Sequence, residues 1–166
     1  GMDITLTLKS ATPNKSSAVV TGMGQTFSKQ LFDGSKGYVE QRGQRKDLAG
    51  KDLEEAKAKK APFADEAYRK GKLDRIEPIE GSNAYVIKYS DTEIFYDAKS
   101  GLKVKTVKTT KGPQGEVKIP TVFSDYREVN GIKFPYKMVQ KMGPMSLNFE
   151  IKEIKINEGV SSTDFQ

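Results

Sequence analysis

The chain contains no cysteine, no histidine and no tryptophan. Without Cys or His, a thiolate nucleophile, a Ser-His-Asp triad and a zinc site of the usual kind are excluded from it. The missing imidazole also removes the side chain that titrates most readily near neutral pH. Lipid attachment through cysteine is excluded too, while zero Cys leaves the compartment open. No apolar run approaches the roughly 18 residues needed to span a bilayer. The chain opens on a strand-like alternation rather than a signal peptide. Gly1 ahead of Met2 reads as the scar of a removed tag, so the chain is expected to be an excised portion of a longer protein. Arginine is scarce as well: the formal net charge is +6, yet only Arg42, Arg45, Arg69, Arg75 and Arg127 stand among 28 basic residues. Arg is the better bidentate reader of phosphates and bases, so a lysine-dominated excess reads as a solubilised surface and not as a nucleic-acid interface.

What is present is mostly period two. With 166 residues, 36% hydrophobic and 30% charged, the chain fits one domain with a real core. Ile4, Leu6 and Leu8 alternate with polar residues and predict a half-buried first strand. A second strand is expected from Ala18 to Phe32, bent or bulged at Gly22 and Gly24, and a third at Tyr38–Arg42. The middle changes period. Asp52 and Glu55 read as a capping box for a helix over Leu53–Lys60, with Glu55 and Lys59 as an i,i+4 pair. Asp65 is placed to cap a second short helix through Tyr68, ended by Gly71. From Leu73 strands resume, with Ala84–Ser90, Thr92–Asp97, Leu102–Thr110 and Val117–Val129 in turn. Asn130-Gly131 is the strongest hairpin signal, leading into Ile132–Met142. The last strand carries Leu147, Phe149 and Ile151, then Ile154 and Ile156 in the other phase, which predicts a bulge near Lys152-Glu153. About nine or ten antiparallel strands with one short helical insertion describe a mainly β (α+β) fold, best met by a strongly curved sheet approaching a barrel.

Catalytic motifs do not assemble. Ser100-Gly101-Leu102-Lys103 has Ser-x-x-Lys spacing, but it falls in a hairpin reversal instead of at a helix start. Gly22-Met23-Gly24 lacks the third glycine and the helix of a dinucleotide fingerprint. No two carboxylates pair inside an apolar stretch, and no loop has calcium spacing. The bulky residues are more informative. Phe134, Tyr136, Met138 and Met142 share one phase of a long strand, and Leu147 and Phe149 share one phase of its neighbour. Methionine adapts to irregular apolar surfaces, so such a stripe suits either a packed core or a cavity for an apolar ligand. The helical segment is locally basic (Lys57, Lys59, Lys60, Arg69, Lys70, Lys72), and Lys99, Lys103, Lys105, Lys108 and Lys111 form a second basic row. Both suit a solvated surface, or peripheral contact with anionic headgroups or an acidic partner.

Met2–Leu8, the turn Ala11–Lys15, Leu31-Phe32-Asp33-Gly34-Ser35-Lys36-Gly37-Tyr38, Tyr96–Leu102 and above all Phe123-Ser124-Asp125-Tyr126-Arg127-Glu128-Val129-Asn130-Gly131-Ile132-Lys133-Phe134-Pro135 together resemble the LolA/LolB-like family of periplasmic lipoprotein carriers and receptors. The resemblance covers nearly the whole chain and rests on turn-and-strand patterns. It implies a LolA-like curved antiparallel half-barrel over residues 1–166, with residues 50–71 as a helical lid. The expected function is that of a non-catalytic periplasmic or cell-envelope domain accommodating a lipid, acyl chain or apolar peptide. The expected lining is Phe134, Tyr136, Met138, Leu147 and Phe149, with Phe63 and Tyr68 from the lid, and no cofactor is expected. The chain is also similar to the C-terminal extension of insulinase/pitrilysin-type zinc peptidases of the Bacteroidetes. A His-free chain would then be a non-catalytic accessory of a covalently linked peptidase domain. A third reading is a protein–protein interaction module using an exposed edge strand.

Overall fold

The computed structural model describes residues 4–59, 64–112 and 115–166. Twelve strands lie among them, in two antiparallel sheets in which every strand pairs with its neighbour in sequence. The fold is mainly β, with one short α-helix. The chain divides into two compact units, Gly1–Glu66 with Asn157–Gln166, and Ala67–Ile156.

The first unit holds a five-stranded sheet: β1 (Thr5–Ala11), β2 (Lys15–Gly22), β3 (Gln25–Phe32), β4 (Gly37–Gln41) and β5 (Gln44–Asp47). The sequence pattern leads one to expect three strands here. The segment 18–32 is instead a hairpin, because Met23 and Gly24 take φ of 51° and 74° and reverse the chain in two residues. Arg42 and Gly43, at 50° and 78°, do the same between β4 and β5. The first strand also corrects its expectation. It is an edge strand whose Leu6 and Leu8 are exposed, Leu8 by 66%, as is Ile4 just ahead of it. The covered side is the polar phase. One cross-strand row runs Lys9, Ser17, Leu31, Tyr38, and the last three are buried. The C-terminal 3-10 turn Ser162–Phe165 packs on β2 above this row, burying Phe165 and setting Asp164 Oδ1 2.5 Å from Lys9 Nζ.

The helix α1 (Gly50–Ala58) starts earlier than expected. Its N-cap is Ala49, with no side-chain cap, so Asp52 lies in the first turn and does not cap it. Glu55 pairs with Lys51 at 3.6 Å in place of Lys59, whose backbone N–H donates to the Glu55 carbonyl. No residue of α1 is buried. Asp65 likewise falls inside the 3-10 segment Ala64–Lys70 and not ahead of it.

The second unit holds β6 (Lys72–Ile79), β7 (Ser82–Tyr89), β8 (Thr92–Asp97), β9 (Lys103–Gly112), β10 (Gly115–Val129), β11 (Ile132–Met142) and β12 (Met145–Glu150) in sequential order. Asn130 and Gly131 both have positive φ, 49° and 79°, and the β10–β11 register follows from that two-residue turn: Val129 opposes Ile132 and Phe123 opposes Met138. No bulge forms at Lys152-Glu153. The strand ends at Glu150 and the Ile151 N–H makes a last bond, 2.8 Å to the Tyr136 carbonyl, before the chain leaves the sheet. Gly71 ends the 3-10 segment by donating to the Tyr68 carbonyl at 2.9 Å. Glycine is required there by proximity, since a Cβ would stand 2.4 Å from Ile87 Cγ2.

Candidate functional site

Cross-strand partners share a face of a sheet, and successive residues alternate between faces. By this rule the seven-stranded sheet buries its main apolar cluster, Ala84, Val86, Phe95 and Val107, on one face. The bulky stripe seen in the sequence occupies the other. Phe149, Met138 and Phe123 form one row across β12, β11 and β10. Leu147 opposes Gln140 in the next row, and Met145 opposes Met142 beyond it. Phe134 and Tyr136 continue the stripe along β11.

This face is only partly covered. Tyr136 is 8% exposed, Phe123, Phe134, Met138 and Phe149 are half-buried, and Leu147 and Met145 are 44% and 63% exposed. Five of the predicted lining residues, Phe134, Tyr136, Met138, Leu147 and Phe149, therefore lie on one face of two adjacent strands. Tyr68 stands apart from them. Its ring meets Tyr89 edge-on at 6.0 Å, and it reaches the stripe through Lys103, whose Nζ lies 6.0 Å from the Tyr68 centroid and 4.6 Å from that of Phe123. Phe63 lies outside the described residues.

Phe123, Lys103 and Arg127 are members of this surface that the periodicity reading missed. The signal for Phe123 was present: counting back from Asn130-Gly131 places it opposite Met138. Lys103 is aimed by an irregularity, since β9 slips by one residue where Tyr96 pairs with Lys103 and Phe95 with Lys105. Val104 then packs on the buried cluster while Lys103 turns to the Phe123 ring. The Arg127 guanidinium stands 4.5 Å over the Tyr136 ring and binds Asp125 Oδ2 at 2.7 Å. That ion pair holds the Asp125 carboxyl below its ordinary range and raises the guanidinium of Arg127. The same bulge splits the expected basic row of lysines, because Lys105 sits over Phe95 at 4.8 Å on the opposite face.

The motifs set aside above have structural duties. Ser100 Oγ donates to Asp97 Oδ1 at 2.6 Å, and the Ser100 N–H does so at 2.7 Å. These bonds, with one from the Ser82 hydroxyl, pull the Asp97 carboxyl down to about 2. Among the described residues, no three His, Cys, Asp or Glu side chains are grouped to hold a metal ion. A separate cleft of about 580 Å³ is lined by Lys88, Glu93, Lys111, Glu116 and Lys118 among others, and includes none of the predicted lining.

A crystal structure of a LolA superfamily protein, NE2245 from Nitrosomonas europaea, superposes with a TM-score of 0.53 over 93% of this chain and 86% of that one, at 11% identity. The fold is LolA-like. At that identity the likeness concerns architecture, and a LolA-like fold of two meandering antiparallel sheets with one short helix is what the twelve strands build. No protein-family model matches the chain, and no curated protein matches it by sequence. No helix among the described residues is long and apolar enough to cross a membrane.

Proposed function

We propose that the chain is a non-catalytic binding domain of the cell envelope that holds a lipid, acyl chain or apolar peptide on the face formed by Phe123, Phe134, Tyr136, Met138, Leu147 and Phe149. One observation supports this reading above the others: a contiguous stripe of bulky side chains stays accessible while the buried cluster of the same sheet lies on its other face. Contiguous exposed apolar surface of this kind marks interaction sites. Methionines at Met138, Met142 and Met145 give the stripe the pliability that a ligand of irregular shape requires. The carrier function implied by the LolA-like resemblance supports the envelope setting.

Displacement of the neutral fluorophore N-phenyl-1-naphthylamine by dodecanol tests it. Wild-type protein should bind both, and Met138→Asp should weaken dodecanol by about tenfold or more through the charge placed on the stripe. Ser146→Asp, on the opposite face of β12, should leave binding unchanged. Absence of any binding by wild type would sink the reading.

A second reading is favoured by one observation, the exposed Leu6 and Leu8 on edge strand β1, with exposed Ile4 just ahead of it. Such an edge suits addition of a partner's strand. A partner that pairs there would be released by Thr7→Pro, which removes a backbone donor from the edge.

A further inference from the structure

The edge strands of the two sheets are not alike. An edge presents unpaired N–H and C=O groups, which proteins usually blunt with brevity, charge, proline or a bulge. β5 is four residues long, and Arg45, Lys46 and Asp47 are charged. β6 has a register slip between Leu73 and Arg75, charges at Lys72, Asp74, Arg75 and Glu77, and Pro78 within it. β12, Met145-Ser146-Leu147-Asn148-Phe149-Glu150, has no proline, no register slip and one charge, at its last residue. β1 is open as well, but β12 is the edge to which the apolar stripe runs, with Met145 and Leu147 exposed on it.

The open groups can be named. The Ile151 N–H bonds the carbonyl of Tyr136, and hydrogen-bonded pairs alternate along an antiparallel ladder. Counting back through the register, Phe149, Leu147 and Met145 bond to β11, while Ser146, Asn148 and Glu150 turn their N–H and C=O outward. An acyl chain satisfies none of these groups. An extended peptide satisfies them, and its alternate side chains continue the stripe. The face behind the stripe adds a preference of charge. Lys141 stands opposite Ser146, a short side chain, and makes no ion pair among the described residues. At the other end Glu150 faces Lys137 and pairs with Lys152 at 3.4 Å, so charge is balanced there. A strand added outside β12 would lie about 10 Å from β11, within joint reach of a lysine and a glutamate across Ser146.

Resting on the apolar-ligand reading above, we propose that the ligand is an extended peptide that adds to β12 as an antiparallel strand. Its apolar residues lie beside Met145, Leu147 and Phe149, its backbone bonds Ser146, Asn148 and Glu150, and an acidic residue opposite Ser146 is read by Lys141. Backbone pairing supplies affinity, and the charge match supplies selectivity.

The probe is the blocked heptapeptide Leu-Thr-Leu-Glu-Leu-Glu-Leu, which in antiparallel pairing sets its glutamates opposite Asn148 and Ser146. Its binding to the full chain is followed by fluorescence anisotropy. Methylating the two glutamate amide nitrogens, which keeps every side chain, should weaken it by about tenfold or more. Asn148→Pro should do the same, because it removes an outward donor and leaves the bonds to β11. That variant should displace N-phenyl-1-naphthylamine with dodecanol as wild type does, which also shows that it is folded. Thr7→Pro, on the edge of the other sheet, should leave peptide binding unchanged. Wild type should prefer this peptide to one with lysines in place of the glutamates, and Lys141→Glu should abolish the preference. Dodecanol binding without peptide binding, or peptide binding that survives both N-methylation and Asn148→Pro, overturns the proposal and leaves the apolar-ligand reading standing. If neither dodecanol nor peptide binds wild type, the reading beneath it fails as well.

Discussion

At Asp97 a single carboxylate organises a reversal. It accepts from the Ser100 hydroxyl and the Ser100 N–H, while the Gly101 N–H donates to the Asp97 carbonyl at 2.9 Å. Asp33 repeats the pattern with Ser35 and Lys36, and its carboxyl is also lowered, first by the Lys36 N–H. Because such bonds favour the charged form, their stabilisation is present above the ordinary carboxylate value of 3.8. For Asp97 it is lost as pH falls from 3.8 toward about 2. Thermal unfolding followed across that interval should show wild type losing stability more steeply than Asp97→Asn, whose amide does not titrate. Parallel curves would contradict the assignment. The Ser-x-x-Lys spacing thus turns out to join a turn serine to a lysine that faces aromatic rings, two duties that spacing alone could not tell apart.

At the level of elements, what was legible depended on the strength of local signals. Asn130-Gly131 specified both a turn and a register, and from it the sharing of a face by Met138 and Phe123 follows. The hairpins at Met23-Gly24 and Arg42-Gly43 were illegible for a related reason. Their first positions are neither Asn nor Asp, the residues that ordinarily announce two left-handed conformations in succession. The start of α1 was misplaced because no side chain caps it. Burial of β1 was misjudged because its cover comes from 155 residues away, where Asp164 meets Lys9. Alternation shows that a strand has two faces, but which one is covered is a tertiary decision. Phe165→Ala should therefore cost about 3–5 kcal/mol in urea unfolding and loosen hydrogen exchange in β2 and β3. Leu8→Lys, though it replaces a large apolar residue, should change stability by no more than about 0.5 kcal/mol. A large loss from Leu8→Lys with none from Phe165→Ala would reverse the account of that sheet.

Across the whole molecule, composition acts by exclusion and by sorting. The absence of Cys and His removes thiolate and imidazole chemistry from this chain. Charge of either sign is sorted by face: on the seven-stranded sheet the side that carries the apolar stripe has few charged residues, and most of the lysines and carboxylates lie on the other side. The stripe itself was visible in the sequence as a phase, because alternation along β11 and β12 fixes which residues stand together. Its cationic border was not, since the slip in β9 that turns Lys103 onto it leaves no mark in the periodicity. Five methionines make the central claim directly measurable, since Met138, Met142 and Met145 belong to the stripe and Met23 sits in the β2–β3 turn of the other sheet. The measurement is a titration of methyl-13C-methionine protein with dodecanol, followed by NMR. The account predicts that the methyl resonances of Met138, Met142 and Met145 shift together and saturate while Met23 stays in place. Unmoved stripe methyls at ligand saturation, or shifts confined to Met23, would contradict it.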